Sequence, residues 1–434
     1  MTCGRYIRRF GQVHRSVDWV RARTMEAYGK HYTIAFPSEE MQSARPVRRS
    51  PLYGHLKAAG ACFGEKLGWE RPNWFAAAGE EPVDRYSYLR PGWWDAVARE
   101  HRAAREAAVL IDQTSFAKFR LKGPDAVKAL SWVAAGNVDR AVGTLTYTQL
   151  LNERGGIEAD VTVARVAEDE FYIVTGTGFA THDFNWISRN LRGDCQLSDV
   201  TSGFAVLSLM GPKARDILSR VCPDDLTNAG FPFATAKAIS VAGCPVLALR
   251  VTYVGELGWE LHMPVEVAVT VYEALMAEGV VNAGYRAIET LRLEKGYRAW
   301  GSDIGPDHTP VEAGLLWACK MKSGQPFLGR AALEAQVAGG VGKRLATFTV
   351  EDPAVILLGR ETIYRDGVRV GWLSSGGFGH TLGKPIGMGY VRAEGVDEGF
   401  LTSGSYELEV ASERVPARLH LGALYDPSGG RVRG

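Results

Sequence analysis

No two of the six cysteines, at positions 3, 62, 195, 222, 244 and 319, share the C-x-x-C spacing of a redox or zinc motif. No His/Cys cluster stands beside them, so no metal site is expected, and free thiols in a reducing compartment are the natural state. No apolar run approaches the roughly 18–20 residues needed to cross a bilayer. Fifty basic and 49 acidic residues leave a net charge of +1, which gives no electrostatic basis for binding nucleic acid or an anionic membrane. The opening "MTCGRYIRRFGQVHRS" is basic but lacks the apolar core of a secretory signal, and an amphipathic transit peptide is the alternative. The cytoplasm is the expected location, or the mitochondrial matrix in a eukaryote. "ERGGIEAD" and "SSGGFGH" are rich in glycine, yet neither completes a G-x-G-x-x-G between strand and helix. The chain therefore lacks its own nucleotide-cofactor cradle. Nucleophile elbows and Ser/His/Asp or Cys/His patterns are also missing, and the nine histidines are scattered singly.

What is present describes a globular protein: 46% apolar and 23% charged residues, over a length that implies two to four domains. Residues 1–80 mix basic, aromatic and Pro-punctuated segments and read as a wrapping piece rather than an independent domain. Two later stretches repeat one another. "FAKFRLKGPDAVKALSWV" and "FAVLSLMGPKARDILSRV" each read as strand, Gly-Pro and amphipathic helix, with Ala126, Ala129, Leu130 and Val133 matched by Ala214, Ile217, Leu218 and Val221. Strand–turn–strand material follows each, which makes a duplicated α+β unit, and ligand pockets favour such junctions. The C-terminal part has short strands with turns expected at Asp366-Gly367 and Gly376-Gly377, as in a small all-β domain.

Two acidic residues stand out. Asp160 shares a strand face with Glu158 and Thr162 after the Gly155-Gly156 turn, and Glu260 shares one with His262 after Gly255 and Gly258. An ordinary half-buried strand with a wet polar face would give the same pattern. The duplication suggests instead that Asp160 and Glu260 occupy similar places, with Tyr147 and Tyr253 on the preceding strands, all converging on a central cavity. A pterin suits such a set: a carboxylate accepts its paired N–H donors and tyrosines supply flat surface. A carboxylate pair alone fits many other ligands.

"YVGELGWELHMP", "LLNERGGIEADVTVARV", "LRLEKGYRAWGSDIGPDHTPVEAGL" and "GWLSSGGFGHTLGKPIGMGYV" resemble the glycine cleavage T-protein (aminomethyltransferase) family over about residues 90–434. Upstream, "ARPVRRSPLYGHLKAAGACFGEKLGWERPNWF" looks like the connector of dimethylglycine and sarcosine dehydrogenases. "RRFGQVHRSVDWVRARTMEAYGKHY" looks like the tail of their flavin domain. The resemblance implies an α+β fold, a three-lobed cloverleaf of two duplicated lobes and a small C-terminal β-barrel. The domains would be a connector over 1–88, a folate-binding unit over 89–340 and the barrel over 341–434.

It implies tetrahydrofolate as cofactor, with FAD only through a separate subunit or an N-terminal domain not in this chain. Asp160 matches the catalytic aspartate and Tyr147 the tyrosine on the strand before it; Tyr253, Glu260, Tyr297 and Thr175 match folate-binding positions. Two departures, Ala159 where the T-protein often has a second aspartate and Ile288 where it has an arginine, match the dehydrogenase branch. The implied reaction captures the carbon released by oxidative N-demethylation of a methylamine such as dimethylglycine or sarcosine, with a possible FAD-binding subunit as partner. A flavin-independent folate demethylase or aminomethyltransferase acting alone is the alternative.

Overall fold

The computed structural model describes residues 12–434; Cys3 and the start of the flavin-tail stretch lie outside them. The connector opens with α1 (Val17–Lys30), capped by the Ser16 hydroxyl, which accepts from the Trp19 N–H. A short α2 (Tyr53–Ala58) leads into an antiparallel hairpin of β1 (Ala61–Lys66) and β2 (Trp69–Phe75). Pro72 is tolerated in β2 because the sheet has only two strands and its register shifts at Cys62/Phe63. Glu100 accepts backbone N–H bonds from both Phe75 and Gly284, and Asp84 pairs with Arg286. These bonds wrap the connector onto the second lobe.

The lobes follow in chain order. Helix α3 (Trp94–Glu106) and β3 (Val109–Asp112) come first but pack with the second lobe, whose sheet β3 joins. The first lobe contains β4 (Ala117–Lys122), α4 (Ala126–Val133), β5 (Leu145–Leu151), β6 (Ile157–Ala167), β7 (Glu170–Thr175), α5 (Ala180–Asn190) and β8 (Gln196–Asp199). The second contains β9 (Phe204–Met210), α6 (Ala214–Val221), β10 (Ala236–Val241), β11 (Cys244–Leu249), β12 (Gly258–Pro264), α7 (Ala268–Ala277), β13 (Val281–Asn282) and α8 (Tyr285–Lys295). Their sheets run β5-β6-β7-β4-β8 and β10-β11-β12-β9-β3-β13. The order 5-6-7-4 therefore recurs as 10-11-12-9. Twin glycines mark the repeat: Gly123 and Gly211, after β4 and β9, adopt φ of 143° and 138°. A Cβ there would meet the Asp194 carbonyl at 2.5 Å or the Ala107 carbonyl at 2.4 Å, so only glycine fits.

This register corrects the expected equivalence of Asp160 and Glu260. Asp160 lies on β6, whose counterpart is β11, whereas Glu260 lies on β12, the counterpart of β7. Lys122 pairs with Glu170 as Met210 pairs with Gly258, so two residues on, Glu260 corresponds to Tyr172. Tyr253 is not on a strand either. Pairing of β11 stops at Leu249, and the β-branched residues that follow belong to an irregular connection that Gly255, at φ 81°, carries round.

After α9 (Arg330–Gly339) the chain forms a closed barrel of β14 (Lys343–Val350), β15 (Thr362–Arg365), β16 (Val368–Gly379), β17 (Lys384–Arg392), β18 (Tyr406–Val410) and β19 (Glu413–His420), in the order β14-β17-β16-β15-β18-β19. Closure leaves no free sheet edge. A short α10 (Glu398–Ser403) lies between β17 and β18, and the terminal α11 (Gly430–Arg433) returns to the second lobe, where Arg250 donates to the Arg433 carbonyl. Asp366-Gly367 makes the β15–β16 turn, but Gly376-Gly377 runs inside β16. There glycine serves close approach rather than reversal: a Cβ on Gly376 would stand 2.5 Å from the Gly359 nitrogen. Each lobe has its own apolar core, and Leu145, Ala164, Tyr172, Val174 and Leu249 form a small cluster where the two sheets meet.

Candidate active site

The polar face of β6 reaches the junction of the lobes at Asp160. Asp160 is half-buried there. The Gln149 side chain, directly across the ladder on β5, donates to Asp160 Oδ1 at 2.9 Å. Tyr147, two residues earlier on the same face of β5, directs its hydroxyl at the same carboxylate. Burial pushes the Asp160 carboxyl up to about 6, against the lowering effect of the Gln149 and Tyr147 bonds. The Tyr147 phenol is pushed well above its ordinary value, first by burial and then by the Asp160 charge.

Tyr253 arrives from the second lobe. Its hydroxyl donates to the Arg298 carbonyl at 2.9 Å, and its ring stacks on Tyr297 with centroids 5.8 Å apart. Burial raises the Tyr253 phenol and pushes Tyr297 up to about 12, so both are neutral donors at neutral pH. The charges of Asp160 and Arg298 both act on Tyr147, and Asp160 acts on Tyr253. Trp317, 72% exposed, stacks on Tyr147 at 5.8 Å.

Glu260, on β12 of the second lobe, has among the described residues only His262 Nε2 as a bonded partner, at 3.3 Å, and its charge acts on Tyr172 and Tyr285. His262 is tied in turn to the Tyr172 hydroxyl at 3.1 Å. Thr175 is buried, and its hydroxyl donates to Asp183 Oδ2 at 2.6 Å. The structure thus brings Tyr147, Asp160, Tyr253 and Tyr297 together, gives Asp160 and Glu260 different hydrogen-bond partners, and turns Thr175 toward Asp183.

Sequence reasoning missed Gln149, Arg298 and the pair His182–Asp183. Gln149 was hidden because one polar residue among apolar ones in "YTQLL" looks like register noise. His182 bridges Asp183, at 2.9 Å, and Glu158, at 3.4 Å, and those carboxylates raise it to about 9. Its signal was "THD", in the first turn of the helix that follows the strand of Thr175. A cleft of about 280 Å³ between α3 and α6, lined by Ala107, Lys213, Asp216 and Arg220, touches none of these residues. Among the described residues no group of three or more His, Cys, Asp or Glu side chains is arranged to hold a metal, no helix is long and apolar enough to cross a membrane, and the five described cysteines are free.

Residues 52–323 match the GCVT N-terminal domain and residues 343–426 the glycine cleavage T-protein C-terminal barrel domain. The chain belongs to the glycine cleavage T-protein family. Residues 6–50 match the FAD dependent oxidoreductase central domain. A crystal structure of the glycine cleavage system aminomethyltransferase T from Bartonella henselae superposes with a TM-score of 0.75 at 27% identity, covering 88% of this chain and 99% of that one. Human mitochondrial sarcosine dehydrogenase is 40% identical over 99% of this chain and 52% of its own length. An aminomethyltransferase of Listeria monocytogenes is 31% identical over 73% of this chain and 87% of its own. The T-protein family chain described here spans about half the length of the dehydrogenase it matches.

Proposed function

We propose that this chain binds tetrahydrofolate at the lobe junction and transfers to it a one-carbon unit released by oxidative N-demethylation of a glycine-derived methylamine such as dimethylglycine or sarcosine. The observation that carries this reading is the half-buried Asp160 carboxylate, held by Gln149 and Tyr147, with the stacked Tyr253–Tyr297 pair in its electrostatic reach. An orphan acceptor supports the fit to a pterin. Gln149 Oε1 is buried beside Asp160 without a hydrogen-bond partner, and such an atom is costly unless a ligand N–H reaches it. Glu260, with one protein partner, keeps acceptor capacity for a paired donor edge. In this reading residues 1–88 are connector, 89–340 bind the folate and 341–434 form the barrel. An FAD-binding portion, on a separate subunit or joined to this chain, oxidises the amine.

Tetrahydrofolate, when bound, supplies the ring nitrogens that capture the carbon as 5,10-methylenetetrahydrofolate. Glu260 grips the pterin donor edge, and the Tyr253–Tyr297 stack offers it a flat wall. Asp160 takes up the proton that leaves a folate nitrogen, a task for an ionised carboxylate whose pKa lies close to the working pH. Gln149 and Tyr147 hold that carboxylate in one orientation, and the enclosing lobes keep water from the reactive carbon.

Calorimetry of the purified chain with tetrahydrofolate under reducing conditions tests the binding claim directly. No heat of binding would end the proposal. Glu260→Gln keeps the size but loses the charge, and should weaken binding roughly tenfold, the worth of one charge-assisted bond. The pH dependence carries a sign. Asp160 must be ionised, so single-turnover transfer should fall about tenfold per pH unit below about 6 and level off above it. A profile flat from pH 5 to 8 would remove Asp160 from the role of base.

A further inference from the structure

The β1–β2 hairpin turns a basic face toward the same junction. Gly64 pairs with Arg71 and Lys66 with Trp69, so Arg71, Trp69 and Lys66 project from one side of the hairpin. The Arg71 guanidinium lies 4.3 Å from the ring centroid of Tyr285, the first residue of α8. That tyrosine's hydroxyl meets Ser115 Oγ at 3.2 Å, which meets Thr177 Oγ1 at 2.8 Å, in the turn just after Thr175. Lys66 rests against the same turn: its Cε is 2.8 Å from where a Cβ on Gly178 would stand. Glu260 also acts electrostatically on Tyr285. The two cations thus stand beside Tyr285, on which Glu260 also acts, and beside the turn that follows Thr175.

Among the described residues neither cation has a carboxylate bound to it: Arg71 and Lys66 take part in no ion pair or side-chain hydrogen bond with them, and Arg71 Nε is buried without a partner among them. By contrast, Arg23 and Arg45 are paired with Glu65 and Glu70, which leave from the other side of the hairpin. The carboxylates whose charges act on Lys66 are engaged elsewhere: Glu40 accepts from the Glu65 amide at 2.7 Å and Asn73 Nδ2 at 2.9 Å, and Glu65 is paired with Arg23. Two like charges kept close without a counter-ion repel each other, and an arriving anion relieves that cost.

We propose that Arg71 and Lys66 form a carboxylate-binding subsite for the glutamate tail of the folate, with Arg71 taking a carboxylate in fork geometry and Lys66 adding a point charge. This rests on the folate reading above. The pterin end would sit between the tyrosine stack and Glu260, and the anionic end would leave past the hairpin face. The subsite is a specificity device, since it separates a folate from a bare pterin while leaving the reacting nitrogens alone.

The test compares tetrahydrofolate with 6-methyltetrahydropterin, which has the ring but no tail, by calorimetry on the full chain. Wild type should bind tetrahydrofolate more tightly, with an affinity that falls as salt is raised. The double variant Arg71→Gln/Lys66→Gln should lose at least about tenfold on tetrahydrofolate and nothing on the tail-less pterin. Lys66→Gln alone changes an exposed side chain, and should show a smaller loss of the same kind. Equal losses on both ligands, or none on either, would overturn the assignment, as would a variant altered only in its KM for the methylamine acid. A wild-type chain that binds neither ligand defeats the folate reading itself, a result distinct from all of these.

Discussion

Asp160→Asn should lower one-carbon transfer by about a thousandfold while tetrahydrofolate binding stays within about threefold of wild type, because general-base catalysis contributes roughly 10²–10⁴ in rate. The substitution keeps the shape of the side chain, and the Gln149 amide can turn to bond an amide in place of a carboxylate. The pterin grip assigned to Glu260 and the two tyrosines is untouched. What disappears is the acceptor whose proton affinity burial has tuned to about 6. Rapid-quench transfer and equilibrium binding on one preparation separate the two effects. Transfer at the wild-type rate would remove Asp160 from the chemistry; lost binding with unimpaired transfer at saturation would make it a binding residue instead. Gln149→Leu is the companion: it takes away the group that orients Asp160, and should cost less than Asp160→Asn itself.

The two-lobed plan was legible because a duplication repeats its local physics. A Gly-Pro at the end of a strand and an apolar helical stripe after it were enough to find both copies, and both glycines turn out to be sterically required. The equivalence drawn between Asp160 and Glu260 failed for an identifiable reason. It matched turns that contain glycine, but the turn equivalent to Gly155-Gly156 is Ala242-Gly243, and no acidic residue follows it at that spacing. Long irregular connections hide register, which is why the β-branched run before Tyr253 reads as strand although β11 ends at Leu249. The hairpin's basic face was unreadable for another reason. Arg71 and Lys66 become distinctive only when the fold shows that their neighbours Arg23 and Arg45 are paired and they are not. Absence of a partner is a three-dimensional fact.

Stability of the site rests on a buried ion pair that holds the barrel to the lobes, and its loss should be the largest effect on folding. Arg292 on α8 and Asp303 are both fully buried and meet at 2.7 Å. Arg292 also donates to Ser375 Oγ in the barrel at 2.8 Å and to the Tyr297 carbonyl at 3.1 Å, and Asp303 accepts from the Ser375 hydroxyl and the Ala299 amide. The turn that carries Tyr297 and Arg298 is therefore fastened at both ends by this pair. Asp303→Ala should cost about 3–5 kcal/mol, because it leaves a guanidinium in the interior whose other carboxylate, Glu289, is half exposed. Urea denaturation followed by tryptophan fluorescence reads the loss as a shifted midpoint, and tetrahydrofolate affinity should fall with it as the Tyr297 wall loosens. Arg292→Met/Asp303→Leu supplies the discriminating arm, since removing both charges avoids the unpaired ion and should recover much of the stability lost in the single variant. If the double variant is as unstable as the sum of its parts, the pair contributes by packing alone and the electrostatic account of the lobe–barrel joint is wrong.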